Sequence, residues 1–599
     1  MSLPLLPLLF IRNLDLPPGL VFLASLLPPL LTPPLSTLLL LVLLREFSIS
    51  TPTWATIILC VLSVPAAITC RVQCCSYINR RAAVANGAIL APEIPASFAG
   101  ISTIVRSVKD LATGYPAELL GMRCEQLGNT YGIRIAFKDR VFTCEPQHIK
   151  AILATQFAAF EKGPTFRDIF NPLLGTGVFA ADGSMWKFHR DMTRPFFDKH
   201  RISDFDNFDT HVEDAITQMK ARLGEGHPFD FQELMGRVTL DCASAFLFGV
   251  DFHSLAEPLS YPYYVSKPAE SRTDSAPTSF APAFLQAQDI TAVRMRYLSV
   301  WPLAEFWKDQ IKAPMRVVER LLDPVLDAVV AKRRDAKNSG EETMAEPETL
   351  LEHLVEYTDD IKTLRDELLN ISVAGRDTVT CLTTFAIYML AEHPSILAKV
   401  RQEIFHRLGE KGRPNVDDIK EMKYLRAVLN ETLRLYPPVP LNIRTSIQGV
   451  VLPATEPGQK PIYIPPNTIV PYSALAMHRR KDLWGPDALK FDPERFIDER
   501  LYKYLVPNPF IFLPFNGGPR ICLGQQFAYQ EASFILIRVL QAFSKISLAP
   551  NAQPPESRVP AEWKTEDGDA SGWKRNEKIR PKSSLTMFVM GGLWVTMEE

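Results

Sequence analysis

Two charge-free apolar runs open the chain, Gly19 to Leu44, mostly leucine, and Phe47 to Cys70. Pro28, Pro29, Pro33 and Pro34 interrupt the first. Proline removes a helical N–H and crowds the preceding turn, so the pattern predicts a broken helix with only Leu35–Leu44 intact. A bilayer core needs about 20 residues of helix, which makes Trp54–Cys70 the better span. Trp54 stands at one end, and Arg71, Arg80 and Arg81 follow the other. That arrangement suits an interfacial aromatic and a cytosolic flank. Pro65 inside the span is tolerable as a kink. The first run is then a second span or an interfacial segment. A cleaved signal peptide is the rival, but the region is too long and too divided for one. Cys70, Cys74 and Cys75 are candidates for reversible palmitate, against unmodified interfacial thiols. Asn86-Gly87, Pro92 and Pro116 read as a linker into a soluble body.

In that body, Ile133–Phe137 and Val141–Cys144 flank Lys138-Asp139-Arg140, a short hairpin. Glu145-Pro146 starts a helix running to about Ala154. Phe160 to Gly183 reads as a long glycine- and aromatic-rich loop of the kind that lines binding sites. A helix opens at Gly183-Ser184. Leu255–Thr291 lacks periodicity and reads as a long connection. Tyr297–Trp307 is aromatic and apolar, suited to a membrane surface or to capping a pocket. Lys332–Glu348 is charged and exposed. Thr363–Glu392 is apolar on more than one face, which predicts a buried helix. Leu425–Leu435 is another helix, ended by Pro437-Pro438, and an apolar helical run spans Gln526 to Phe543. Polar, proline-rich Ala549–Lys582 reads as an inserted surface loop. It precedes a last strand pair, Leu585–Val589 and Leu593–Met597, turned at Gly591-Gly592.

Composition narrows the function. The chain has 599 residues, 47% hydrophobic and 22% charged, enough for a sizeable core. A net charge of -2 gives no overall preference for nucleic acid or an anionic surface. Nine cysteines without a paired CxxC argue against a disulfide scaffold or a zinc site. Cys124, Cys144, Cys242 and Cys381 read as reduced thiols. Cys522 alone has an unusual setting.

That setting is Phe515-Asn-Gly-Gly-Pro-Arg-Ile-Cys522-Leu-Gly524. Gly517, Gly518 and Gly524 let a backbone approach a flat object closely. A helix N-terminus after Cys522 predicts a lowered thiol pKa, and Arg520 could bind an anionic group of the same ligand. A nucleotide site is the rival, but no phosphate-loop or dinucleotide pattern is present. Trp186 and Arg190, four apart, share a helix face as an anion clamp; a packed indole with a solvated arginine is the plainer account. Ala374-Gly-Arg-Asp-Thr378 puts a glycine, an acid and a hydroxyl inside the buried helix, a costly set. Either Asp377 and Thr378 manage protons for a ligand beside Gly375, or Thr378 bonds back to a carbonyl and bends the helix. Glu431 and Arg434 can pair on one face, and Phe491-Asp-Pro-Glu-Arg495-Phe496 adds an arginine in a turn.

Taken together, these residues resemble the cytochrome P450 superfamily of haem-thiolate monooxygenases. FNGGPRICLG is similar to its haem-binding loop, AGRDT to its oxygen-activation motif, ETLR to its ExxR pair, FDPERF to its PERF turn, and WKFHR to its WxxxR helix. The resemblance spans roughly Ser97 to Glu599. Pro172–Phe179, the run after Arg434, and NGGPRICLGQQFAYQEASF narrow it to fungal membrane-bound members that hydroxylate alkanes, fatty acids and other hydrophobic compounds. It implies a mainly α fold with small β-sheets (α+β), an N-terminal membrane anchor and linker over 1–96, and a haem-binding monooxygenase domain over 97–599. It implies haem b with Cys522 as the axial iron ligand, and Arg520, Trp186, Arg190 and the weaker candidate Arg444 on the propionates. Phe515 and Gly518 belong to the same loop. It implies Asp377 and Thr378 as proton carriers, and Glu431, Arg434 and Arg495 as a structural network.

With no flavin or nicotinamide motif, electrons must come from a partner, NADPH-cytochrome P450 reductase, with O2 and a lipophilic small molecule as substrates and no nucleic acid. Lys187, Arg194, Lys199 and Arg201 could form part of its docking face, or simply a solvated one. Placement in the endoplasmic reticulum membrane with the catalytic domain facing the cytosol follows. The rivals are a haem-thiolate isomerase or dehydratase needing neither O2 nor reductase, and a non-catalytic membrane-attached binding protein. Phe166, Phe170, Phe179 and Val439–Ile443 suggest an apolar pocket.

Overall fold

The computed structural model describes residues 16–94, 100, 102–103, 105–106, 114–135, 137–197, 205–265, 279–339, 347–565, 569 and 571–599. The proposed boundary at 96/97 lies outside them, as do Lys199, Arg201 and parts of the stretches 255–291 and 332–348.

Both apolar runs are helical. The first, α1, is Pro18–Glu46, a continuous helix of 29 residues, and α2 is Thr53–Ala85, of 33. The prolines therefore do not break the first run. Nearby hydroxyls supply bonds to main-chain carbonyls in the loosened turns, Thr32 Oγ1 to Pro28 O at 2.7 Å and Thr37 Oγ1 to Pro33 O at 2.9 Å. The two helices also lie against each other, with Cys60 Sγ 3.6 Å from Pro34 O. Both are long and apolar enough to cross a membrane, and Leu35, Leu39, Leu40, Val61 and Leu62 are exposed, as contact with lipid requires. Gly19 N donates to Phe306 O at 2.9 Å, and a Cβ on Gly19 would run into the Phe306 ring. The anchor is thus seated on the Tyr297–Trp307 stretch, where Trp307 is exposed.

The hairpin is β1, Thr130–Ile135, and β2, Lys138–Thr143. Its turn falls at Phe137, with φ of 62°, so Lys138, Asp139 and Arg140 belong to the strand and not the turn. β3 is Phe160–Glu161. The expected loop that follows holds an 11-residue helix, α3, Pro164–Leu174. Its buried residues Phe166, Ile169, Phe170, Leu173 and Leu174 follow helical spacing. Next are α4, Gly183–Thr193; β4, Phe229–Asp230; α5, Phe231–Phe248; and α6, Phe280–Tyr297. Within the stretch read as a connection, α6 buries Phe280, Phe284 and Ala287 at spacings of four and three. The 32-residue α7, Ile361–Glu392, is capped by Asp360, whose carboxylate accepts Thr363 N at 3.0 Å. It runs through the main core beside α5, with Phe385, Ala386, Ile387 and Leu390 fully buried.

The remaining elements are α8, Lys423–Leu435; β5, Asn442–Ser446; β6, Val450–Leu452; β7, Ile462–Ile464; β8, Ile469–Tyr472; and α9, Gln525–Ala542. Then come β9, Lys545–Leu548; β10, Pro581–Ser583; β11, Met587–Val589; and β12, Trp594–Glu598. The largest sheet has the order β1-β2-β8-β5-β3, parallel only between β2 and β8. The last two strands do not pair with each other. β11 pairs with β10, while β12 crosses to β9 and β4. Mainly helical with small sheets, the architecture is as expected.

The segment 549–582 is not a surface loop. Trp563, Asp569, Lys574 and Glu577 are buried. Glu577 accepts the hydroxyls of Tyr115, Tyr388 and Tyr436 at 2.8, 2.9 and 2.9 Å. Lys574 Nζ meets Glu118 Oε2 at 2.7 Å. Low hydropathy marks this segment as polar, but the buried charges Asp569, Lys574 and Glu577 have each found a partner.

Candidate functional site

The loop before α9 is shaped by main-chain geometry. Cys522 N donates to Phe515 O at 3.0 Å, and Ile521 N to Gly518 O at 3.0 Å. Gly518 has φ of 68°, and a Cβ there would collide with Leu153 O, so only glycine fits. Phe515 packs on Tyr529 of α9, ring centroids 5.1 Å apart. The Cys522 side chain is accessible, yet protein surrounds it closely enough for burial to raise its thiol pKa. A side chain both enclosed by protein and accessible is placed to take a ligand at sulfur. The Gly524 N–H and Arg190 pull the pKa down, but burial wins. The helix end does lower the thiol pKa as expected, but burial outweighs it and the pKa lies above its ordinary value.

Helix α7 borders accessible space as well. It is buried from Leu364 to Ser372, apart from Arg365, and again from Cys381 to Leu390. Between them Val373, Ala374, Gly375, Arg376, Asp377 and Thr378 are all half-buried. A Cβ on Gly375 would meet only Ala243 Cβ, at 3.8 Å, so protein packing does not demand the glycine. Thr378 Oγ1 donates to Ala374 O at 2.6 Å, the back-bonded arrangement. Asp377 Oδ1 lies 2.5 Å from Arg376 Nη1. Burial raises the Asp377 pKa, and Arg376 opposes that rise.

Trp186, Arg190, Arg520 and Arg444 converge. The Arg520 guanidinium lies 4.6 Å from the Trp186 ring and that of Arg190 5.9 Å. Arg190 Nη1 donates to Ile521 O at 3.1 Å, tying α4 to the cysteine loop. Arg444 is fully buried, and its Nε has no partner. The structure adds Lys162, which sequence reading missed. It is buried, and Nζ donates to Asn442 Oδ1 at 3.2 Å. Burial holds its pKa well below the usual lysine range, and Arg444 and Arg520 lower it further. Burial and Arg444 push Arg520 down to about 10. The nearby carboxylate, Asp182, is already shared among Lys162 N, Gly163 N, Arg167 and Arg520, at 2.8, 3.1, 2.5 and 2.8 Å. This buried surplus of positive charge calls for an anion. An accessible enclosed thiol, loop glycines and an anion-hungry cluster are the features a haem, with its iron and its carboxylates, would require.

Glu431, Arg434 and Arg495 are buried together. Arg434 Nε and Nη2 reach Glu431 at 2.6 and 2.8 Å, and Arg495 Nε lies 3.6 Å from Glu431 Oε1. Arg434 also donates to the carbonyls of His478 and Ala488 at 2.8 and 2.6 Å. Such satisfaction is what makes a buried ion pair tolerable. His478, also missed from sequence, sits beside them.

Fold and site define a haem-thiolate protein of helical architecture. The cytochrome P450 family model matches residues 105–560. The chain is 35% identical to Cytochrome P450 monooxygenase himC of Aspergillus japonicus, covering 78% of each chain. It is 36% identical to Cytochrome P450 52A3-A of Candida maltosa, over 78% of this chain and 87% of that one. Identity to Cytochrome P450 52A6 of Candida tropicalis is also 36%, over 79% and 89%. The chain belongs to the cytochrome P450 family, and is a haem-containing monooxygenase.

Proposed function

We propose that this enzyme hydroxylates a lipophilic compound, an alkane, a fatty acid or a molecule of similar character, with electrons from NADPH-cytochrome P450 reductase. The net reaction is RH + O2 + 2 e⁻ + 2 H⁺ → ROH + H2O. The observation that carries this is the half-buried turn Val373–Thr378 in an otherwise buried helix, which also packs on the helix following the enclosed Cys522. It holds an acid and a hydroxyl where the helix is accessible, as oxygen chemistry needs and as an isomerase or dehydratase does not.

Bound haem supplies O2 activation and insertion into a C–H bond, and thiolate ligation favours O–O cleavage. Cys522 provides that thiolate. Phe515 and Gly518 set its loop. Lys162, Arg190, Arg444 and Arg520, with Trp186, would hold the propionates. Thr378 keeps its proton on Ala374 O and can turn it toward a bound ligand, and Asp377 resupplies it. Glu431, Arg434 and Arg495 fix the framework behind the loop. Stacked Phe166 and Phe170, with centroids 4.2 Å apart, and accessible Phe179, Val439 and Leu441 support an apolar substrate. Residues 1–96 serve as anchor and linker and 97–599 as the catalytic body. Arg71, Arg80 and Arg81 favour a cytosolic body on the endoplasmic reticulum membrane, and exposed Lys187 and Arg194 suit a reductase contact.

The test is a reduced-CO difference spectrum, then NADPH consumption and hydroxylated product with added reductase. Replacing Cys522 by Ala should abolish the thiolate-type band and turnover together. Product formed without O2 and reductase would favour the isomerase reading instead.

A further inference from the structure

The helix Asp206–Gly224 buries Phe208, His211, Val212 and Ala215, one inward stripe at helical spacing. His211 is therefore set where the core asks for an apolar residue, its side chain only 7% exposed. A ring so placed ordinarily bonds a neighbour. Its Nε2 lies 4.0 Å from Asp251 Oδ2, too far for a hydrogen bond, and the ring has no hydrogen-bond partner among the described residues.

Two carboxylates stand beside it. Asp241, on α5, is fully buried, and Asp251 is half-buried in the loop after that helix. One donor atom from each of the three residues lies within 4.8 Å of the other two. Asp241 accepts the N–H groups of Ser254 and Leu255, each at 2.9 Å, which fixes it and leaves a lone pair on each oxygen. Asp251 accepts His253 N at 2.7 Å on Oδ1, and its Oδ2 lies 3.1 Å from His253 Nδ1. Among the described residues no lysine or arginine pairs with either acid. Two carboxylates and an unbonded imidazole, withdrawn from water, call for a cation. A proton on His211 supplies one charge and still leaves the ring 4.0 Å from its acid. A divalent ion supplies two and bonds all three groups. Calcium and magnesium take oxygen donors, whereas a mixed imidazole and carboxylate set suits zinc or a neighbouring transition metal. Donors about 2.0–2.2 Å from one zinc stand about 3–4 Å apart, so closure asks the Asp251 carboxylate to move by less than about 1 Å.

We propose that His211, Asp241 and Asp251 bind a divalent transition-metal ion, zinc foremost, which pins the chain leaving α5 to the helix Asp206–Gly224. His253 orients Asp251 from the solvent side. The site uses no cysteine, so the lack of a paired CxxC does not bear on it.

The test uses tag-free, full-length holoprotein in nanodiscs, stripped with a chelator, loaded with zinc sulfate and freed of excess by gel filtration. Zinc and iron are then counted by plasma mass spectrometry. About one zinc per haem iron should remain, and zinc-edge X-ray absorption should show nitrogen and oxygen neighbours without sulfur. His211→Gln and Asp251→Asn should each weaken zinc binding by more than the about 10–100-fold that loss of an outer-shell partner costs, and His253→Gln by no more than that. Returning zinc to the stripped protein should raise Tm in wild type and not in Asp251→Asn. Asp251 lies in an accessible loop, so its variant should keep normal haem content whatever His211→Gln does to packing. Wild type that holds no zinc would overturn the proposal. So would equal zinc in wild type and in the Asp251 and His211 variants, which would assign the metal to adventitious surface groups.

Discussion

His478 Nε2 accepts the main-chain N–H of Leu513 at 2.9 Å. Its Nδ1 lies 3.1 Å from Arg434 O. With Nε2 accepting, the proton sits on Nδ1 and the ring is neutral. His478 thus joins the Glu431–Arg434 pair to the chain entering the Cys522 loop. Burial, then Arg434, push its pKa down to about 3. The folded pKa is below the unfolded value near 6.5, so the unfolded chain binds the extra proton between those values. This contribution is complete above pH 6.5 and falls by about 1.4 kcal/mol per pH unit below it. In His478→Gln it is missing. The gap in apparent Tm between wild type and variant should therefore narrow from pH 7 to pH 5. A constant gap would mean that His478 is not held neutral.

Glu577 offers a second test. Three tyrosine hydroxyls converge on it, and Arg479 Nη2 bonds Tyr115 Oη at 2.7 Å. Burial raises the Glu577 pKa, while Arg479 and the tyrosines hold it down. Glu577→Leu would leave three hydroxyls without their acceptor and the buried Arg479 without its nearby carboxylate, at a cost of about 3–5 kcal/mol. Tyr388→Phe should then cost less in the Glu577→Leu background than in wild type, because the two share one network. Denaturant or thermal unfolding of the four proteins measures this. Additive losses would show the cluster is not coupled.

The cation cluster gives a prediction with opposite signs in two states. Lys162 sits among like charges, and among the described residues its ammonium bonds only Asn442 in addition to its contact with the Phe166 ring. Lys162→Met relieves repulsion in the haem-free chain but removes a propionate partner from the holoenzyme. Apoprotein stability should rise or hold. Haem transfer to a scavenging apoprotein should speed up about tenfold, the worth of one charge-assisted hydrogen bond. Unchanged haem transfer would place Lys162 outside the propionate site.

What the sequence disclosed depended on whether a residue's role was local. Cys522, Gly518 and Arg520 lie within one loop, and the five motifs fell within the elements expected of them. The helix Thr363–Glu392 was legible because its apolar positions repeat through many turns. Helix α3 carries equally regular spacing in Phe166, Ile169, Phe170, Leu173 and Leu174, but glycines and Pro172 obscured it. Four prolines suggested a broken α1, because the pattern does not show that threonine hydroxyls and α2 would support it. Lys162, His478 and Glu577 were missed for another reason. Their partners Asn442, Leu513 and Tyr115 are distant in sequence, and only the folded chain reveals that a polar residue is buried. The last strands were mispaired because two adjacent runs and a Gly-Gly turn look like a hairpin, yet β12 finds β9 and β4 instead.

Thr378 decides between two accounts of the same bond. Its hydroxyl donates to Ala374 O at 2.6 Å, which suffices for a helix distortion with no chemical role. The residues around it argue otherwise. A purely structural threonine sits well in the buried part of α7, as Thr383 does with its own bond to Val379 O at 2.8 Å. Thr378 lies instead where the helix is accessible, next to an Asp377 whose pKa burial has raised. Thr378→Val keeps the shape and removes only the proton. If the hydroxyl delivers protons, hydroxylated product per NADPH consumed should fall, with turnover down about 100-fold. Haem content and substrate-induced difference spectra should stay unchanged. Asp377→Asn should show the same split between binding and turnover. If Thr378 only bends the helix, Thr378→Val should shift Tm and leave product per NADPH where it was.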